Sequence, residues 1–71
     1  MKCYYQNDVQ FKILDNRAEI QVGDNWGNTI SCTIEEARQV WRAIKNREIE
    51  VKTGCLSSFE TINAIKNLLN K

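Results

Sequence analysis

The sequence predicts a small α+β fold, an antiparallel β-meander of about three or four strands packed against two helices. Three observations carry this reading. Two runs of period-two alternation flank a turn, and two Ser/Thr-x-x-Glu signatures each open a run of helical periodicity. The third observation is length: 71 residues supply one domain, residues 1–71, with one core. A chain this short buries only about 60% of its unfolded surface, which leaves it a net stability of a few kcal/mol.

The hairpin comes first. Val9, Phe11 and Ile13 alternate with Gln10 and Lys12, and Ala18, Ile20 and Val22 alternate with Glu19 and Gln21. A two-residue turn at Asp15-Asn16 pairs Ile13 with Ala18, Phe11 with Ile20 and Val9 with Val22. All six apolar residues then share one face. The same register sets Lys12 opposite Glu19 on the other face, an opposite-charge pair. Residues 23–28 form a loop of turn formers, and Ile30 with Cys32 marks a short third strand.

Thr33-Ile34-Glu35-Glu36 fits a capping box, followed by an apolar stripe of Ala37, Val40, Trp41 and Ile44. Trp41 is expected in the core. Arg42, Lys45 and Arg47 suit the negative pole of that helix, and Asn46 is its expected stop. Residues 48–52 alternate with Ile49 and Val51 inward, which reads as a fourth strand, although a continued helix would also tolerate them. Ser57-Ser58-Phe59-Glu60 opens the last helix, whose expected apolar side is Phe59, Ile62, Ile65, Leu68 and Leu69. The expected order is β-β-β-α-β-α.

Composition narrows the function. The hydrophobic fraction is 42% and the charged fraction 27%, an ordinary globular balance. No apolar run approaches the roughly 18 residues of a membrane span, and none near the start resembles a secretory signal, so a cytoplasmic protein without membrane contact is expected. Cys3, Cys32 and Cys55 are odd in number and widely spaced, which fits reduced thiols better than a disulfide framework. With no histidine and no Cys-x-x-Cys pair, neither a metal site nor a cofactor is expected. Catalysis also lacks its usual base. Cys32 precedes a helix N-terminus, which favours a thiolate weakly, but the same position suits a hydrophobic staple to Ala37. The carboxylates Glu35, Glu36, Glu48 and Glu50 fit a helix pole and a wet strand face. We therefore expect a chain that is not an enzyme.

Two binding classes remain. The first is recognition of another protein, by an adaptor, a subunit or a small inhibitor such as a phage or mobile-element protein that blocks a host machine. Its candidate residues are Trp26, which belongs to no apolar periodicity, with Asp24 and Asn25 beside it, and the pair Tyr4 and Tyr5, one on each face of a sheet edge. An open edge would also allow a homodimer. The alternative is weak nucleic-acid binding. Residues 1–37 carry three basic and six acidic groups, and residues 38–71 carry seven basic and three acidic ones. Arg38, Arg42 and Lys45 form a ridge at i, i+4 and i+7, which Arg47 and Lys52 extend. A net charge of only +1 favours the protein partner.

Overall fold

The computed structural model describes residues 2–23, 28–51 and 57–70. Four strands, β1 (Lys2–Gln6), β2 (Val9–Ile13), β3 (Ala18–Val22) and β4 (Thr29–Cys32), precede two helices, α1 (Ile34–Lys45) and α2 (Ser57–Leu69). The strands form one antiparallel sheet in the order β1-β2-β3-β4. The expected class, an antiparallel meander with two helices, is the class observed.

The β2–β3 hairpin adopts the register that its sequence dictates: Val9 faces Val22, Phe11 faces Ile20, Ile13 faces Ala18 and Lys12 faces Glu19. The Leu14 N–H donates to the Arg17 carbonyl at 2.9 Å across Asp15-Asn16. Val9, Phe11, Ala18, Ile20 and Val22 are buried as a result. The four larger ones, Val9, Phe11, Ile20 and Val22, each gain about 1.5–3 kcal/mol from leaving water.

Helix α1 starts as expected. The Thr33 hydroxyl accepts from the Glu36 N–H at 3.0 Å, and Glu36 Oε1 accepts from the Thr33 N–H at 3.0 Å. Ala37, Val40, Ala43 and Ile44 face the core, which they share with Ile62 and Ile65 of α2 and the inner face of the sheet. Asn46 caps the helix. Beyond it the Arg47 N–H donates to the Ile44 carbonyl at 3.1 Å and the Glu48 N–H to the Ala43 carbonyl at 2.8 Å. This is a Schellman closure, and it requires a left-handed residue, which here is Arg47 at φ 59°.

That closure corrects the strand expected at residues 48–52. Residues 48–51 are not a strand, and Lys52 lies outside the described residues. The Glu48 and Ile49 N–H groups both bond to Ala43 instead of a ladder, and Ile49 turns into the core. The fourth strand is β1 at the other end of the chain, joined to β2 by a two-residue turn. Asn7 and Asp8 both have positive φ, 50° and 66°, the type I′ geometry that matches sheet twist. A second correction concerns Phe59, which is 52% exposed. It lies at the margin of the stripe in the first turn of α2, while Thr61 is buried.

Three residues, Asn7, Asp8 and Arg47, hold a left-handed backbone without glycine, at a local cost that glycine would remove. We expect Arg47→Gly and Asp8→Gly each to raise stability by about 0.5–1 kcal/mol. Urea melts of the two variants check this, and a lowered midpoint in either would show that the native side chain does more than occupy the turn.

Candidate functional site

The sheet's hydrogen-bond parity determines which backbone groups are free. Gly23 N–H donates to the Asp8 carbonyl at 2.9 Å and Leu14 N–H to the Arg17 carbonyl at 2.9 Å. The even-numbered residues of β2 therefore bond towards β3, and Val9, Phe11 and Ile13 bond towards β1. Their partners on β1 are Gln6, Tyr4 and Lys2. The N–H and C=O groups of Cys3 and Tyr5 then point away from the sheet, and among the described residues no strand pairs with them. The outer edge of β1 is an unfilled ladder position.

The side chains of β1 alternate across this edge. Tyr5 stands on the open polar face, 68% exposed, and its hydroxyl accepts from Gln10 Nε2 at 3.1 Å. Tyr4 stands on the helix face, 47% exposed, with its ring edge-on to Trp41 at 6.4 Å. Trp41 in turn meets Phe11 edge-on at 5.1 Å. Such pairs contribute about 0.5–1.5 kcal/mol each beyond their burial. Gln6 Nε2 donates to the Trp41 carbonyl at 3.0 Å, tying the last residue of β1 to α1.

Between β1 and α1 lies a groove of about 480 Å³ with an apolar lining of Tyr4, Phe11, Ile13, Ile34, Ala37 and Trp41. Two cations, Lys2 and Arg38, complete it, and both are exposed. Trp41, expected in the core, is half-buried and forms a groove wall. Its place in the helical stripe is on the margin nearest β1. Tyr4 and Tyr5 were expected at a sheet edge, but the two-residue turn joining that strand to β2, and the groove beside it, were not. The signal was present in the sequence: Asn7-Asp8 is a pair that tolerates left-handed geometry, preceded by two β-forming tyrosines.

Arg38, Arg42, Lys45 and Arg47 are all exposed, so the basic ridge exists on α1 and its closing turn. A second cleft, of about 520 Å³, lies at the opposite end of β1, where Asp8, Arg47 and Glu50 mix both charges along its wall. Asp24, Asn25 and Trp26 lie outside the described residues, as does Cys55. The structure therefore brings Tyr4 and Tyr5 together with Arg38 around one edge. It adds Lys2 and Trp41, neither of which was a candidate site residue.

Cys3 and Cys32 are free thiols. They occupy the two edge strands of a four-stranded sheet, roughly 14 Å apart at the usual strand spacing, too far to bridge. Cys32 packs against the core that contains Ala37, in keeping with the staple. Burial, and then the charge of Glu36, push its thiol up to about 11 from 9.0. The helix pole is outweighed, so Cys32 is a poor nucleophile at neutral pH. Comparison with protein-family models, curated proteins and solved structures finds no match.

The raised value has a measurable consequence. A Cys3→Ser/Cys55→Ser variant should be alkylated by iodoacetamide at neutral pH with roughly one hundredfold less thiolate available than for a thiol at 9.0. The rate should climb until about pH 11. Neutral Cys32 stabilises the fold fully below pH 9.0, and that contribution is lost as pH rises through about 11. A plateau in the alkylation rate near pH 9 would show that the folded environment does not hold the proton.

Proposed function

We propose that this chain is a non-catalytic protein-binding module that acts by occupying a surface of another protein. One observation carries the reading: an edge strand with a free ladder side presents an exposed tyrosine on each of its faces. Edge strands are normally short, charged or covered, because they invite pairing. Here Lys2 is the one charged residue of the edge, while Tyr4 and Tyr5 supply the rigid amphipathic area that dominates interface energetics. A chain without histidine, whose half-buried Cys32 thiol stays protonated, supports the absence of a catalytic role. An adaptor, a subunit or a small inhibitor of the phage or mobile-element type would work this way, in the cytoplasm. No described helix is long and apolar enough to cross a membrane.

The competing reading is weak nucleic-acid binding through Arg38, Arg42, Lys45 and Arg47, with Lys52. Its specific support is that the four described cations are exposed along one side of α1 and its closing turn. The partner class decides between the two. Tagged protein passed through a lysate of its natural host, with and without nuclease, should retain one stoichiometric protein in both cases. Tyr5→Ala should cut that retention while leaving the circular dichroism unchanged. Trp26→Ala should also weaken it, whereas unfolding of that variant would assign Trp26 to the core. Loss of every partner on nuclease treatment would establish the nucleic-acid reading instead.

A further inference from the structure

The β1 edge and the groove beside it are parts of one surface, and their chemistry narrows the kind of partner they fit. Residues advance about 100° per step around a helix. On that count Ile34, Trp41, Lys45 and Arg38 fall on one flank of α1, and Arg42 lies next to it. Ile34, Arg38 and Trp41 line the groove, which orients this flank towards β1. Lys2 faces it from the sheet, on the same side as Tyr4 and Gln6. The acid nearest to these cations on α1 is Glu35, at the start of the helix. Glu36 is held in the capping box on the other flank. The helix-facing residues of β1 and β2 include no acid. The groove therefore has an apolar floor and a positive border.

We infer that this surface binds an acidic, extended segment of another protein, which adds to β1 as a fifth strand. The inference rests on the binding-module reading and deepens it. The segment's backbone pairs with the free N–H and C=O groups of Cys3 and Tyr5. Its side chains alternate, so those on the helix face reach the groove. There one bulky apolar residue packs against Ile13, Ile34 and Trp41, and carboxylates two residues to either side meet Lys2 and Arg38. A second copy of this chain fits less well. Antiparallel self-pairing would set Tyr4 opposite Tyr4 and bring Lys2, Arg38, Arg42 and Lys45 of both copies to the same face across the junction. Nucleic acid would use the cations and stack on tyrosine, but it would leave the ladder groups of Cys3 and Tyr5 unpaired and the aliphatic floor unfilled.

Hydrogen-bond parity supplies a selective test. Proline at Tyr5 removes an N–H that faces outwards, whereas proline at Tyr4 would break the ladder to β2. The full chain would be panned against a displayed library of random dodecapeptides, and an enriched peptide measured by fluorescence anisotropy. Enriched sequences should place acidic residues around one aromatic or aliphatic residue at alternate positions. Tyr5→Pro and the double variant Arg38→Glu/Arg42→Glu should each weaken binding at least about tenfold with the fold intact by circular dichroism. Ser31→Pro, on the outer edge of β4, should leave it unchanged.

Enrichment of basic or uncharged peptides would overturn the proposal. So would parental affinity in both Tyr5→Pro and Arg38→Glu/Arg42→Glu, displacement of the peptide by a thymidine decanucleotide, or a concentration-dependent dimer abolished by Tyr5→Pro. A protein captured stoichiometrically from lysate whose retention ignores all these substitutions would keep the binding-module reading and remove this site. No captured protein and no enriched peptide would remove both.

Discussion

The backbone parity of β2 is the constraint on which the rest of the structure depends. Its even residues bond to β3 and its odd residues bond to β1, so every side chain on the three strands is assigned to one face. The Asp15-Asn16 turn sets that parity on one side by pairing Ile13 with Ala18. The Asn7-Asp8 turn sets it on the other by pairing Gln6 with Val9. A slip of one residue in either turn would carry Val9, Phe11 and Ile13 into water or push Lys2 and Gln6 off the helix side. The buried face, the exposed tyrosines and the free edge all follow from these two turns.

How far the sequence showed this depends on where the apolar pattern is clean. The β2–β3 hairpin was legible residue by residue because three apolar pairs, a turn and a charge pair all favour one register. Helix α1 was legible at both ends, since Thr33 and Glu36 form a reciprocal cap and Asn46 stops the helix. Strand β1 was legible only as a sheet edge at Tyr4 and Tyr5, because Lys2-Cys3-Tyr4-Tyr5-Gln6 has no apolar alternation to set its bounds. An edge strand with both faces wet needs none. Residues 48–52 showed the reverse problem. Their alternation came from Ile49 turning into the core after a Schellman closure, and the left-handed state of Arg47 that makes the closure cannot be read from an arginine.

The candidate site was legible only in parts. Tyr4 and Tyr5 could be assigned to a sheet edge, and Arg38 and Arg42 to a ridge, but as features of two rival functions. Trp41 joins them. It lies on the margin of the helical stripe, where an aromatic side chain is large enough to reach the core through Phe11 and still present a wall to Tyr4. Helical periodicity places such a residue on the apolar side but cannot show that β1 leaves a groove beside it.

Cys3 gives the edge strand one further property. Its thiol lies on the polar face of the sheet, across the strand from the groove, while its own N–H and C=O belong to the free ladder side. A reporter attached there would sit beside an incoming strand without entering the apolar floor or touching the helix. The chain thus carries a natural attachment point from which strand addition can be observed spectroscopically, independent of the side chains that would do the binding.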